Sequence, residues 1–463
     1  MIELPRAKTI FEPFRIKSVE PIRLLSALQR SRVITEAGYN LFKLHAQDVT
    51  FDLLTDSGTS AMSARQWAGI MVGDESYASC RNWFHLLETI QDITGFKYVI
   101  PAHQGRPAES ILMSLYIKPG QSALSNMFFD TTHEHVQFRG GLPRDLIIDE
   151  GLDTESDLPF KGNVDIDKLE EFIRREGRDK VSMIHVMVTC NQIGGQPVSM
   201  ANLRAIRGVA DKYGLPFFLD AARYAENAFF IKLREPGYAD KSIKEIAREM
   251  FSYADGCTMS AKKDGLVNIG GFLALNDEEK YRQAQQLLVL MEGFVTYGGM
   301  AGRDLEALAR GLKEALEEPY MANRVRQVHY LGNQLLAAGV PVVTPIGGHC
   351  VMLDMKRFFP HIPQDNYPSE TLLAELYVDS GTRAVGFGQL VFGGVDKETG
   401  KTFYAPLEVV RLAIPRRVYT DNHMDVVAKS IKGIYERRNT LHGMKILWAP
   451  EVLRHFTAHL EPL

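Results

Sequence analysis

The sequence is poor in the features that mark several protein classes. It has four cysteines, Cys80, Cys190, Cys257 and Cys350, widely scattered and with no C-x-x-C pair. That argues against a zinc knot or a disulfide framework and fits a reducing cytoplasm. No apolar run approaches the ~18 residues that a membrane span needs. The first stretch, MIELPRAKTIFEPFRIKSVE, carries charges throughout and lacks the apolar segment of a secretory signal. Excess positive charge is missing too. With 53 Lys and Arg against 57 Asp and Glu, the net charge is -4, which leaves no general footprint for nucleic acid. Repeats, low-complexity tracts and Ser/Gly-rich linkers are also absent. What remains is a globular composition, 45% hydrophobic and 24% charged over 463 residues, a length that suits two or three domains.

The middle of the chain alternates strand-like and helix-like segments. KYVIPA (97–102) is a short apolar run ending in turn residues. DIDKLEEFIRREG (165–177) places Leu169, Phe172 and Ile173 at helical spacing, with Gly177 as a stop. VSMIHVMVT (181–189) reads as a buried strand. SMANLRAIRGVADKYG (199–214) opens on an N-cap Ser199, lines up Leu203, Ile206, Ala210 and Tyr213, and closes on Gly214. LPFFLDA (215–221) is again a buried strand. This alternation predicts an α/β fold with a mostly parallel sheet covered by helices. Ligands in such sheets bind at the C-terminal ends of the strands.

Three features at those ends carry chemistry. Asp220 ends a strand with no other charge, where a carboxylate needs a cation or a donor. A salt bridge to Arg223 is one reading; a partner for a protonated cofactor ring nitrogen is another. In HQGRPAESILMSLYI (103–117), Pro107 suits the first helical position, and Gln104, Gly105 and Arg106 lie at the helix mouth, where a phosphate can be held. MSAKKDG (259–265) sets Lys262 beside Lys263 between two apolar stretches. A lysine that forms a Schiff base must spend time as the neutral amine, and a neighbouring cation with partial burial lowers its pKa. Ser260 can donate to the same phosphate. Each feature has a bland reading as a turn or salt bridge. Together they suit a phosphate-bearing pyridine aldehyde.

Long stretches then resemble the β-eliminating lyases, the family of tryptophanases and tyrosine phenol-lyases: EPFRIKSVEP, DLLTDSGT, GDESY, HQGR, GGQPVSMANLRA, TMSAKKD, NIGGF, RLAIPRRVYT and LRHFTA. The resemblance covers nearly the whole chain. It implies the pyridoxal-phosphate transferase fold of the aspartate aminotransferase type (fold type I), with a large seven-stranded domain and a small α+β domain. The corresponding boundaries are 1–62 for an N-terminal arm and part of the small domain, 63–317 for the large domain and 318–463 for the small one. It also implies a cytoplasmic homotetramer built from catalytic dimers, acting on a small amino acid, with pyridoxal 5'-phosphate and a monovalent cation, usually potassium.

Carried over by position, Lys263 resembles the Schiff-base lysine and Lys262 its tuning neighbour. Gln104, Gly105, Arg106 and Ser260 correspond to phosphate ligands. Phe129 is implied to stack on the ring, Asp220 to pair with its nitrogen, and Asn191 and Arg223 to contact its oxygen side. Arg411 is the implied clamp for the substrate α-carboxylate, with Thr55 and Ser57 near it. Tyr77 resembles the tyrosine that protonates the leaving-group carbon. The cation is implied at Glu75 and the carbonyls of Gly58 and Asn268.

The two family activities part at a few positions. The phenol enzymes carry an arginine for the phenol hydroxyl where this chain has Phe387, Thr where it has Asp130, and Phe where it has His455. Phe387, Asp130 and His455 therefore suggest L-tryptophan, cleaved to indole, pyruvate and ammonia, and the adjoining Phe456 is implied to contact the substrate. A carboxylate at 130 can accept the indole N–H, and His455 can relay a proton. Other stretches, such as DGCTMSAKKDGLVNIGGF and AGRDLEALA, lie nearer the phenol enzymes. Gly386 stands where both kinds of relative carry Glu, Pro107 where they carry Gly, and Ala102 where they carry Thr. Phe387 is bulkier than the aliphatic residue implied for the indole enzymes, which points to an altered pocket and leaves a substrate other than tryptophan or tyrosine open. Phenol elimination, release of another β-substituent such as a thiol, and a cofactor-binding relative without turnover are the alternatives.

Overall fold

The computed structural model describes residues 10–395, 399–451 and 453–463. By packing, the chain forms two units. Among described residues the first holds 10–13, 57–151 and 158–325, and the second holds 14–56, 152–157 and 326–463.

The first unit is built on seven strands: β1 (Tyr98–Ala102), β2 (Ser122–Ser125), β3 (Leu142–Asp145), β4 (Val181–Met187), β5 (Phe217–Asp220), β6 (Gly256–Ser260) and β7 (Gly271–Leu275). Their order across the sheet is β1-β7-β6-β5-β4-β2-β3. Only β7 runs antiparallel to its neighbours; the other pairings are parallel. Every residue of β4, β5 and β6 is buried, as expected for central strands covered on both faces. Helix Ile166–Glu176 starts where Asp165 accepts a bond from the Lys168 amide and stops at Gly177, whose φ of +91° suits a residue without Cβ. Helix Met200–Tyr213 is capped by Ser199 and ended by Gly214 in the left-handed region. Both bury the faces that the spacing predicted, Leu169, Phe172 and Ile173 on one and Leu203, Ile206 and Ala210 on the other.

Helix Gly105–Tyr116 begins two residues before the expected Pro107, which is its third residue. The first turn has no intrahelical acceptor for its amides, so a proline costs nothing anywhere within it.

The second unit has a three-stranded antiparallel sheet of β8 (Cys350–Asp354), β9 (Val385–Phe387) and β10 (Val409–Ala413), in the order β9-β10-β8. Alternation along the strands divides its faces. Val410 and Leu412 pack with Leu372 and Leu376 of helix Pro368–Ser380 and with Val427 and Ile431 of helix Asp421–Glu436. Val385, Phe387 and Val409 pack with Met352 in a separate cluster. Among the described residues no helix is long and apolar enough to cross a membrane.

Leu219 is fully buried, one residue before Asp220. Leu219→Ala is expected to cost about 2–5 kcal/mol, as core leucine truncations do. A lower denaturation midpoint of the cofactor-free protein, measured by circular dichroism, checks it.

Candidate active site

The C-terminal ends of β1, β2, β4, β5 and β6 each lead into sequence-predicted residues: Gln104 to Arg106, Phe129, Asn191, Asp220 with Arg223, and Ser260 with Lys263. Register explains part of this convergence. Asp220 pairs with Met187 of β4 on one side and Thr258 of β6 on the other.

The two lysines do sit in the connection between the antiparallel strands β6 and β7, but that connection is not solvated. Ala261, Asp264 and Gly265 are buried, and Lys262 and Lys263 are partly so. Asp264 holds it down by accepting from the amides of Ala225 (2.9 Å) and Glu226 (3.2 Å), in the first turn of helix Tyr224–Arg234. An ionised carboxylate at a helix N-terminus is well placed, since it meets the orphan donors and the positive end of the dipole. The Asp264 amide in turn donates to the Ala222 carbonyl, two residues beyond Asp220. The lysine turn and the strand end are thereby tied together.

Lys263 Nζ donates to Ser260 Oγ at 2.8 Å. Burial lowers the Lys262 pKa, and the Arg106 guanidinium lowers it further. The Gly58 amide donates to the Lys262 carbonyl at 2.7 Å. Gly105 lies so close to Ser260 that a Cβ there would come within 2.6 Å of the serine Cβ. Gln104, the N-cap of helix Gly105–Tyr116, makes no side-chain capping bond. A bare helix mouth, a glycine with no room for a side chain, a serine and Arg106 form a cradle whose donor set suits a phosphate. Asp220 is buried, and its Oδ1 accepts from the Ala222 amide at 3.1 Å. A carboxylate there suits a protonated ring nitrogen. The residues of the first unit therefore fit pyridoxal 5'-phosphate, with the Lys263 amine held beside Ser260.

Asp130 opens helix Asp130–Phe138, and its Oδ1 accepts from Gln192 Nε2 at 2.7 Å; Asn191 Nδ2 donates to the same glutamine at 3.0 Å. Gln192 thus links Asp130 to Asn191. Tyr77 is 71% exposed and packs against Phe294 and Tyr297 at 5.7 and 5.4 Å; its pKa is raised first by a hydrogen bond with Tyr297. Of the residues that the sequence resemblance assigns to a cation, the Gly58 carbonyl accepts from Asn268 Nδ2 at 2.8 Å, and Glu75 accepts from the Gly302 amide at 3.1 Å.

In the second unit, Arg411 lies in β10 and donates to the Leu54 carbonyl, next to Thr55, at 3.2 Å. Its guanidinium sits over the Phe387 ring at 4.5 Å. His455 packs on Phe42 and Phe456, with centroids at 5.8 and 4.0 Å. Burial, then Arg454, pushes its pKa down to about 4, and its buried Nδ1 has no hydrogen-bond partner among the described residues. At neutral pH it is an uncharged imidazole with a free ring nitrogen. Ser57 belongs to the first unit.

Sequence reasoning passed over Glu109. It is the one carboxylate on the buried face of helix Gly105–Tyr116, and that was the signal available. Its carboxylate accepts from Thr131 Oγ1 at 2.8 Å. Burial, then Asp220, pushes its pKa up to about 7. Since the folded chain favours the protonated form, ionising Glu109 costs stability progressively between its usual pKa and about 7. Glu109→Gln is expected to raise the melting temperature of the cofactor-free protein more at pH 8 than at pH 5. A gain equal at both pH values would contradict this.

Comparison with known proteins bears on family and fold. Tyrosine phenol-lyase of Symbiobacterium sp. (strain SC-1) is 54% identical over 98% of both chains. Tryptophanase of Salinibacter ruber is 53% identical over 98% of this chain and 96% of its own. Among solved structures, serine palmitoyltransferase from S. paucimobilis superposes with a TM-score of 0.59 over 84% of this chain and 88% of its own at 12% identity, a likeness of fold. That is the expected fold, the transferase type of pyridoxal-phosphate enzymes. The profile of the β-eliminating lyases matches residues 52–430, and the chain belongs to that family.

Proposed function

We propose that the chain uses pyridoxal 5'-phosphate to eliminate the aromatic side chain of an L-amino acid, with L-tryptophan the first choice, giving indole, pyruvate and ammonia. The observation that carries the choice is Phe387. Its ring lies under the Arg411 guanidinium and offers no donor to a phenol hydroxyl.

The bound cofactor supplies an electron sink for bond breaking at the α-carbon. Lys263 is the amine that carries it and, once displaced by substrate, the base that takes the α-proton. Ser260, the hydrogen-bond partner of its Nζ, orients that amine. Asp220 keeps the ring nitrogen protonated. Arg411 takes the α-carboxylate, for which a planar two-donor group is suited. Tyr77 donates the proton to the ring carbon of the leaving group, while Asp130 stabilises the charge this creates or accepts the indole N–H. His455 and Phe456 line the leaving-group side. Gly58, Glu75 and Asn268 would hold a monovalent cation, and the working assembly would be a homotetramer.

A second reading, elimination of phenol from tyrosine, is favoured by the overall likeness to tyrosine phenol-lyases, such as that of Clostridium tetani at 52% identity. Measuring pyruvate from L-tryptophan, L-tyrosine and S-ethyl-L-cysteine separates the two. Tryptophan is expected to be fastest; faster turnover of tyrosine would replace this reading with the second. Phe387→Arg should raise tyrosine turnover if the ring excludes phenols. Lys263→Ala should abolish the yellow absorbance of the protein with its cofactor as well as pyruvate release. A mutant that keeps its colour would remove Lys263 from its assigned role.

A further inference from the structure

The second unit contains a buried pair of carboxyl groups that the proposed reaction does not use. Glu370, on helix Pro368–Ser380, and Glu408, one residue before β10, are both buried. Glu408 is well supplied with donors. Ser369 Oγ reaches its Oε1 at 2.5 Å, and the Gln389 amide and Gln364 Nε2 reach its Oε2 at 2.8 and 3.3 Å. Glu370 is not, since its Oε2 is buried with no hydrogen-bond partner among the described residues.

Gly386 explains how that carboxyl fits. A Cβ at this position would come within 2.9 Å of Glu370 Oε1 and 3.0 Å of the Ser369 Cβ. The space beside the middle residue of β9 is therefore taken by the Glu370 side chain. Both flanking residues of β9 point to the other face, where Phe387 stacks on Arg411. Beyond β9, Glu408 holds the first amide of the short helix Gln389–Phe392, and Arg454 Nη2 donates to the carbonyls of Gln389 (2.8 Å) and Gly393. Arg454 adjoins His455 and Phe456. One connected set of contacts thus runs from the carboxyl pair, through residues 386–393, to the side chains assigned to the leaving group.

The geometry points to Glu370 as a positioning residue: wedged between helix Pro368–Ser380 and Gly386, it seats β9 so that the Phe387 ring lies under the Arg411 guanidinium. The seat requires one proton on the pair. Two adjacent carboxylates in a dry space repel; Arg454 offsets the charge on Glu370 and Lys356 that on Glu408, while burial works against both charges. The groups facing Glu370 are Glu408, Arg454 and Tyr367, the N-cap residue of its helix, and Glu408 in turn faces Lys356; β9 offers Glu370 only the backbone at Gly386. Burial, then Glu408, pushes the Glu370 pKa up to about 8. Below that pH the neutral acid fits the wedge. Above it, the second charge is relieved most easily by moving residues 386–393, which frees Phe387 from Arg411.

The seating can be tested without turnover; its consequence for substrate rests on the lyase reading above. Amide hydrogen exchange of residues 384–393, corrected for intrinsic rate, is compared at pH 7 and pH 9 in the wild-type protein with cofactor and in Glu370→Gln. The wild type is expected to lose protection by about tenfold one pH unit past the midpoint, while Glu370→Gln stays protected. Gly386→Ala, whose methyl would press on the carboxyl, is expected to show the fast exchange already at pH 7. In kinetics, KM for L-tryptophan should rise above pH 8 relative to Glu370→Gln, with kcat following the same profile in both. Equal protection of wild type and Glu370→Gln at both pH values, or an unaltered Gly386→Ala, would overturn the assignment. Absence of pyruvate from every amino acid tested would instead sink the lyase reading, and exchange would still decide Glu370.

Discussion

The proposed chemistry depends on one buried carboxylate, Asp264. It occupies the N-terminal turn of helix Tyr224–Arg234 and so anchors the turn that carries both lysines. Without that anchor, a connection holding two ammonium groups would be driven toward water. With it, Lys263 is held at hydrogen-bond distance from Ser260, and the same residue ties the turn to the backbone just past Asp220. Helix-terminal capping, usually a matter of stability, here fixes the turn that carries the amine proposed to react.

The rest of the first unit follows from strand register and the lack of room. Parallel strands ending at similar heights bring Asp220, Ser260 and Asn191 to one edge of the sheet. Gly105 allows the helix mouth to close on Ser260 because it has no Cβ. Glu109 adds a second buried carboxyl near Asp220, and repulsion between the two favours its protonated form. The second unit works by another principle. Its sheet sends Phe387 and Arg411 to one face and presents Gly386 to a buried acid on the other. A single glycine thus couples an electrostatic site to an aromatic contact.

Much of the frame was legible beforehand. Helices bounded by Asp165, Gly177, Ser199 and Gly214 lie where caps and spacing placed them, because these signals are local. The start of the helix at Gly105 was misjudged by two residues, since a proline is tolerated throughout a first turn. The lysine pair could be taken out of solvent only by combining Asp220, the Gly105–Arg106 loop and Ser260, and then by resemblance. Nothing local distinguished Asp264 from any other loop aspartate.

By itself, then, the sequence determined the alternation of strands and helices, the burial of the central strands and the identity of the chemically useful side chains, all properties of neighbours along the chain. Tertiary structure alone decided which of these meet. The Lys262–Arg106 proximity, the Asp264 anchor, the repulsion between Asp220 and Glu109, the placing of Arg411 over Phe387 and the wedge of Glu370 at Gly386 join residues distant in sequence or on different elements. Their energies come from burial and from charges brought close in a dry interior, and neither exists until the chain has folded.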